Sequence, residues 1–205
     1  MTEKKDVLRP SLWTRRPVAE TIAVYADWAD NYGADVAARG YRTPDRLAKA
    51  LADHASPDVT ILDFGCGTGI GGGALRQAGF ATIDGTDVTP EMLKKAETSG
   101  IYRRTWHSPP GEMGFAKGAY RVIVAVGVVS LGAAPPETLA PLVAKLDAGG
   151  LLALSFNDPT LADAAYTDAL GAQLTLAQAE VIFREHGPHL EDVDMGSDVI
   201  ILRRL

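Results

Sequence analysis

Cysteine is nearly absent from this chain: one residue, Cys66, in 205. A lone cysteine excludes an internal disulfide framework and a cysteine-rich zinc site. No apolar run approaches the roughly 20 residues that a membrane-spanning helix needs. The opening stretch, MTEKKDVLRPSLW, carries charge with no apolar segment behind it, so it does not read as a secretion signal. Basic residues never form a stripe. Their densest clusters are the pairs Arg15-Arg16, Arg103-Arg104 and Arg203-Arg204, set against a formal net charge of -6. A nucleic-acid backbone selects a basic footprint, so neither a nucleic acid nor a membrane is expected as partner. His54, His107, His186 and His189 lack metal-ligand spacing, and no metal is expected. A cytoplasmic location follows as the default expectation.

What is present is an ordinary globular balance of 46% hydrophobic and 22% charged residues, enough for one α/β domain over residues 1–205. Residues 1–56 read as an N-terminal helical arm or lid, with 1–16 poorly ordered. Apolar spacing predicts a helix over 17–32. A break at 40–43 follows, then a helix capped by Thr43 with Pro44 in its first turn, to about residue 54. From residue 57 the pattern alternates. Strands are predicted at 59–64, 81–86, 101–106, 121–126 and 151–156, and helices at 69–78, 90–98, 136–146, 161–170 and 175–186. Two short strands, 190–194 and 198–203, close the chain around a tight turn at Met195-Gly196-Ser197. Such alternation predicts a doubly wound, mostly parallel seven-stranded sheet. The last two strands are too close for a parallel crossover, so the final strand should run antiparallel.

The chemistry concentrates in Asp63-Phe64-Gly65-Cys66-Gly67-Thr68-Gly69, which follows the first strand and opens a helix. Glycines there permit a tight turn and let a ligand lie against backbone amides. Asp87 ends the second strand 22 residues after Gly65, where a carboxylate can accept both hydroxyls of a ribose. Thr89 is the expected cap of the helix after it, which would leave Asp87 free for ligand. Together these features point to an adenosine-containing ligand. The third glycine falls at Gly69, where the dinucleotide fingerprint wants it one place later. Asp63 suits an ammonium and a sulfonium and would sit badly beside a pyrophosphate. Both points favour S-adenosylmethionine over NAD.

The segments LDFGCGTGIGGGAL, IDGTDVTPEML, VGVVSLG and LDAGGLLALSF resemble, in order and spacing, the motifs of class I S-adenosylmethionine-dependent methyltransferases. YADWADNYGADVAARGYRTPDRLA resembles the N-terminal region of the methyltransferase-like 27 group. The resemblance covers roughly residues 20–156. It implies a Rossmann-like fold and methyl transfer, while the small-molecule acceptor is the expectation that the missing basic footprint gives. It implies that Gly65, Gly67 and Gly69, with Cys66 among them, wrap the methionine part of the cofactor, and that Asp63 orients its amino group. Asp87 would hold the ribose, Val88 would pack on the adenine and Met92 would close that pocket. Val126 and Gly127 would face the reacting methyl. Tyr25, Trp28 and Tyr32 would lie over the cofactor. Ser108 stands where relatives carry an acidic residue for the adenine amino group, and its hydroxyl should bind that group more weakly. His107, at a strand's carboxyl end, is the candidate general base. Arg103-Arg104 reads as a solvated pair. Two other readings compete: a non-catalytic cofactor-binding module, and an NAD-dependent oxidoreductase.

Overall fold

The computed structural model describes residues 10–205; the part of the predicted arm before residue 10 lies outside them. Seven strands form one sheet: β1 (Thr60–Phe64), β2 (Thr82–Asp87), β3 (Arg104–His107), β4 (Val122–Ala125), β5 (Leu151–Asn157), β6 (Ala179–Leu190) and β7 (Met195–Arg204). Their order is β3-β2-β1-β4-β5-β7-β6. β1 to β5 pair in parallel, and β7 runs antiparallel to both its neighbours. The expected mixed sheet with its reversed last strand is the sheet observed.

Burial explains the central strands. Every residue of β4 (VIVA) and β5 (LLALSFN) is buried, as parallel strands covered on both faces require. On one face, α3 (Thr43–Ala52) and α4 (Ile70–Gln77) supply Leu47, Leu51 and Leu75 against Ile61, Ile83 and Val124. On the other, α6 (Leu139–Lys145) and α8 (Ala164–Thr175) bring Leu142, Val143, Tyr166 and Leu170 onto Ile123, Leu152 and Leu154. α5 (Pro90–Thr98) packs Leu93 and Ala96 on Cys66 and Tyr102. Among the described residues no helix is long and apolar enough to cross a membrane.

Several expectations are corrected. The helix predicted over 175–186 is largely β6. The outer edge of β7 needs a partner, and Val181-Ile182-Phe183 is β-branched and aromatic. Asp198 on β7 draws Arg184 Nε to 2.6 Å and His186 Nδ1 to 2.8 Å, both from β6. The turn lies at 191–194, with Asp194 in the left-handed region, and Met195-Gly196-Ser197 belongs to β7. The helix predicted over 161–170 is two: α7 (Asp158–Leu161), capped by Asn157, and α8, capped by Asp163. The helix predicted over 17–32 also divides, into α1 (Val18–Trp28) and α2 (Tyr32–Ala38), where the Trp28 indole donates to Asp35 at 2.8 Å. Thr43 does not cap α3; its hydroxyl meets His189 and Ser197 instead.

Arg103-Arg104 is not simply solvated. Asp84, fully buried on β2, takes Arg103 Nη2 at 2.7 Å, Arg104 Nε at 2.9 Å and the Tyr120 hydroxyl at 2.6 Å. Burial pushes the Asp84 carboxyl up, but the donors from Arg103, Tyr120 and Arg104 outweigh it and hold it below its ordinary value. A group so depressed stabilises the fold above its unfolded pKa, and that contribution fades as pH falls through the folded one. Both guanidiniums face solvent, which discounts the pair. Asp84→Ala should therefore cost about 1–2 kcal/mol at neutral pH. The difference in thermal midpoint from the parent should shrink in acid; a difference constant from pH 7 down to pH 2 would refute the ionic account.

Candidate functional site

The strand order reverses between β1 and β4, and a cavity of about 370 Å3 opens at the carboxyl ends of these strands. Ligands of open α/β sheets bind at this place for a geometric reason: neighbouring crossovers leave in opposite directions and part the loops. Gly65, Gly67, Asp87, Val88, Met92, Ser108, Val126, Gly127, Tyr25 and Tyr32 all line it. So do parts that the sequence did not mark: Val18 and Ile22 on α1, the loop 109–113, and the segment 133–141. The Pro109-Pro110-Gly111 turn signal was the one available hint for that loop.

Asp87 is the hinge of the site. Its Oδ2 accepts Gly67 N–H and its Oδ1 accepts Thr89 N–H, each at 2.7 Å. Thr89 occupies the cap position of α5 without a side-chain cap bond, so the expected division of labour is reversed: Asp87 ties both loops while still lining the cavity. Burial raises the Asp87 pKa, against the amides of Thr89 and Gly67 that lower it. Each oxygen keeps a second lone pair for a ligand. The loop itself needs glycine at Gly65, where φ is +72° and a Cβ would meet Val128 Cγ2 at 2.5 Å.

Asp63 does not line the cavity; it is fully buried beneath the loop. Its Oδ2 accepts the hydroxyl of Tyr102 at 2.7 Å, while Oδ1 has no partner among the described residues. No feature of the sequence singled out Tyr102. Its ring lies so close to Gly72 that any Cβ there would collide with it. Burial raises the Asp63 pKa to about 6, helped by the charge of Asp87 and opposed by Tyr102.

Ser108 is buried beside Thr86. The Thr86 hydroxyl donates to Trp106 O at 2.9 Å, so the 2.7 Å contact between the two hydroxyls must carry the proton of Ser108. The lone pairs of Ser108 are thereby left to accept. Cys66 turns away from the cavity into the cluster with Leu93, Ala96 and Tyr102, and burial pushes its thiol up, so it is unreactive. Gly69 caps α4 behind the loop. His107 is exposed and outside the cavity wall, its Nε2 3.1 Å from Val88 O. Trp28 lies in an aromatic group with Tyr25 and Tyr32 and borders a second, smaller cavity.

This is the Rossmann-like sheet of methyltransferases, with a glycine loop and a carboxylate at its switch point. The sequence matches the methyltransferase domain family over residues 33–192, and the chain belongs to that family. It is 32% identical over 163 residues to methyltransferase-like protein 27 of Homo sapiens, covering 77% of this chain and 65% of that protein. It is 36% identical over 104 residues to the ribosomal protein L11 methyltransferase of Escherichia coli, covering 48% of this chain and 33% of that one. The chain thus spans less than two thirds of either relative. Among solved structures, an S-adenosylmethionine-dependent methyltransferase of Thermotoga maritima superposes with a TM-score of 0.64 at 14% identity, over 90% of this chain and 99% of that one.

The raised pKa of Asp63 carries a sign. Between about pH 4 and pH 6 the folded state binds a proton that the unfolded state has released. Stability contributed at this site is therefore highest in acid and falls as pH rises through that window. Asp63→Asn should raise the thermal midpoint at pH 7.5, by roughly 1–3 kcal/mol of stability, and leave it nearly unchanged at pH 4. An equal gain at both pH values would show that charge burial is not the cause.

Proposed function

We propose that this protein transfers a methyl group from S-adenosylmethionine to a small-molecule acceptor. One observation carries the reading: the Gly65–Gly67 loop, Asp87 and Ser108 converge on one cavity that ends beside Gly127. The residues suit the cofactor. The second lone pairs of Asp87 face a ribose, and Val88 and Met92 offer an apolar slot for the adenine. Ser108, its proton committed to Thr86, accepts from the adenine amino group. The unpartnered Oδ1 of Asp63 supplies negative charge toward an ammonium beyond the loop.

When bound, the cofactor supplies an activated methyl group on a sulfonium. The chain's task is then alignment and exclusion of water. His107 has no part in this reading, because it stands outside the cavity. In the same reading residues 1–205 act as one cytoplasmic domain, with residues 1–56 as an arm over the core at 57–205. The relationship to ribosomal protein L11 methyltransferases raises a protein acceptor as the competing choice. Against it stands a cavity walled on the arm side by Val18, Ile22, Tyr25 and Tyr32, which leaves room for a compact ligand.

Thermal unfolding with S-adenosylhomocysteine, NAD and NADP in parallel tests the cofactor. S-adenosylhomocysteine alone should raise the midpoint, by about 2.7 kcal/mol of added stability at a hundredfold excess over its dissociation constant. A shift with NAD alone would move the protein to the oxidoreductases. Asp87→Ala should weaken S-adenosylhomocysteine by about 1.5–3 kcal/mol in calorimetry; unchanged affinity would remove the ribose assignment. Tight cofactor binding with no turnover of any acceptor would favour a binding module.

A further inference from the structure

A second cavity of about 50 Å3 opens on the far side of Gly127 and shares Tyr25, Tyr32, Gly127 and Ala133 with the first. It holds a functional group, not a molecule. Among the described residues no charged side chain lines it. Two of its buried polar side chains, Asn157 and His189, can be assigned by hydrogen-bond accounting and both present donors, while the Ser130 hydroxyl, its proton given to Thr160, is left to accept.

Asn157 and His189 both border this cavity and are only 6% and 7% exposed. Asn157 Oδ1 accepts the backbone N–H of Thr160 at 3.1 Å and its hydroxyl at 2.6 Å. Two donors fix that atom as oxygen, so the amide nitrogen is the other, and it meets no acceptor among the described residues. For His189 the chain of reasoning starts at Arg46, whose Nη1 donates to Ser197 Oγ at 3.2 Å. Ser197 is fully buried, and its remaining side-chain contact is Thr43 Oγ1 at 2.8 Å. A buried hydroxyl proton left without an acceptor is costly, so Ser197 donates to Thr43. Thr43 then donates to His189 Nδ1 at 2.8 Å. The ring must carry its proton on Nε2, which has no protein acceptor among the described residues. Burial lowers the His189 pKa to about 4 and keeps the ring neutral. The hydroxyls of Tyr25, Tyr32 and Tyr41 also lack partners among the described residues, and burial raises all three pKa values, Tyr25 to about 12.

The cavity thus gathers neutral donors from Asn157, His189 and the tyrosines beside the accepting Ser130 hydroxyl, and among the described residues no general base lines it. An ammonium must lose a proton before its nitrogen has a nucleophilic pair, and an alcohol needs a base to become a strong nucleophile. A carboxylate arrives ionised and bears only acceptors. We propose that the small cavity binds the carboxylate of a small-molecule acid and that the carboxylate is the methyl acceptor. The proposal rests on the preceding reading, which puts the cofactor's methyl group beside Gly127. A carboxylate oxygen pair forms the new bond to the methyl carbon as the carbon–sulfur bond breaks. The bonding electrons stay on sulfur, giving a methyl ester and neutral S-adenosylhomocysteine with no proton to move. Donors that hold the carboxylate also offset its desolvation.

The test uses the full chain saturated with S-adenosylhomocysteine and titrated by calorimetry with butyrate, hexanoate, benzoate and phenylacetate. Each acid is compared with its primary amide and amine. At least one acid should bind about tenfold more tightly than both analogues, as a charged hydrogen bond implies. Asn157→Asp keeps the oxygen that caps α7 but turns the donor into an anion; it should abolish the preference. Tyr41→Phe keeps the ring and should reduce it. Both variants should hold S-adenosylhomocysteine as the parent does. With methyl-labelled S-adenosylmethionine, the preferred acid should yield label released as methanol by mild base. Preference for an amide or amine, base-stable label, or no binding of any acid would overturn the proposal. Failure of S-adenosylhomocysteine itself to bind would instead overturn the cofactor reading, and this one with it.

Discussion

The bridge from the Asp87 carboxylate to the amides of Gly67 and Thr89 is the interaction on which the carboxyl end of the sheet depends. It joins the loop leaving β1 to the loop leaving β2. It also fixes the backbone at Gly67, where φ is positive and the chain would otherwise be free to relax. The central strands are buried on both faces, so polar chemistry has no place along them and collects at their ends. Asp63 and Asp87 stand there, at the ends of β1 and β2, without a cation beside them among the described residues. The fold has built local negative charge and has not neutralised it.

Asp84 gives the contrast. It lies three residues before Asp87 on the same strand and is equally buried, yet Arg103, Arg104 and Tyr120 converge on it. One carboxylate is closed by protein donors and holds β2 to β3 and the segment before β4. The other two are left with lone pairs open. Burial alone does not separate an acid closed by protein donors from acids left partly open in this sheet; the identity of their partners does.

The residues at the switch point were legible because local rules govern them. A strand, a glycine turn and a helix start lie within a dozen residues, and Asp87 follows at a fixed distance. Ten of the residues so read line one cavity. What escaped depends on long-range pairing. The stretch 175–186 has helical charge spacing, and its strand forms because β7 presents an open edge with Asp198 upon it. Tyr102 sits beneath the loop through tertiary packing with no sequence signature. His107 was misplaced by one step of the strand alternation: Ser108, its neighbour, faces inward and His107 faces out. The fold class was therefore readable almost whole, the lining of the cavity at the switch point largely so, and the far side of Gly127 hardly at all.

Thr160 links two separate pieces of chain. Its hydroxyl donates to Asn157 at the end of β5 and receives the Leu131 N–H and the Ser130 hydroxyl from the loop after β4. Both segments line the small cavity, through Ser130, Leu131 and Asn157, so neither can drift without the other. Evolution is consequently constrained in blocks here. A lineage that altered Asn157 to accept a new ligand would strand the hydroxyl of Thr160 and, through it, Ser130. Change at these three positions should come in concert, and a natural variant at one alone should be rare.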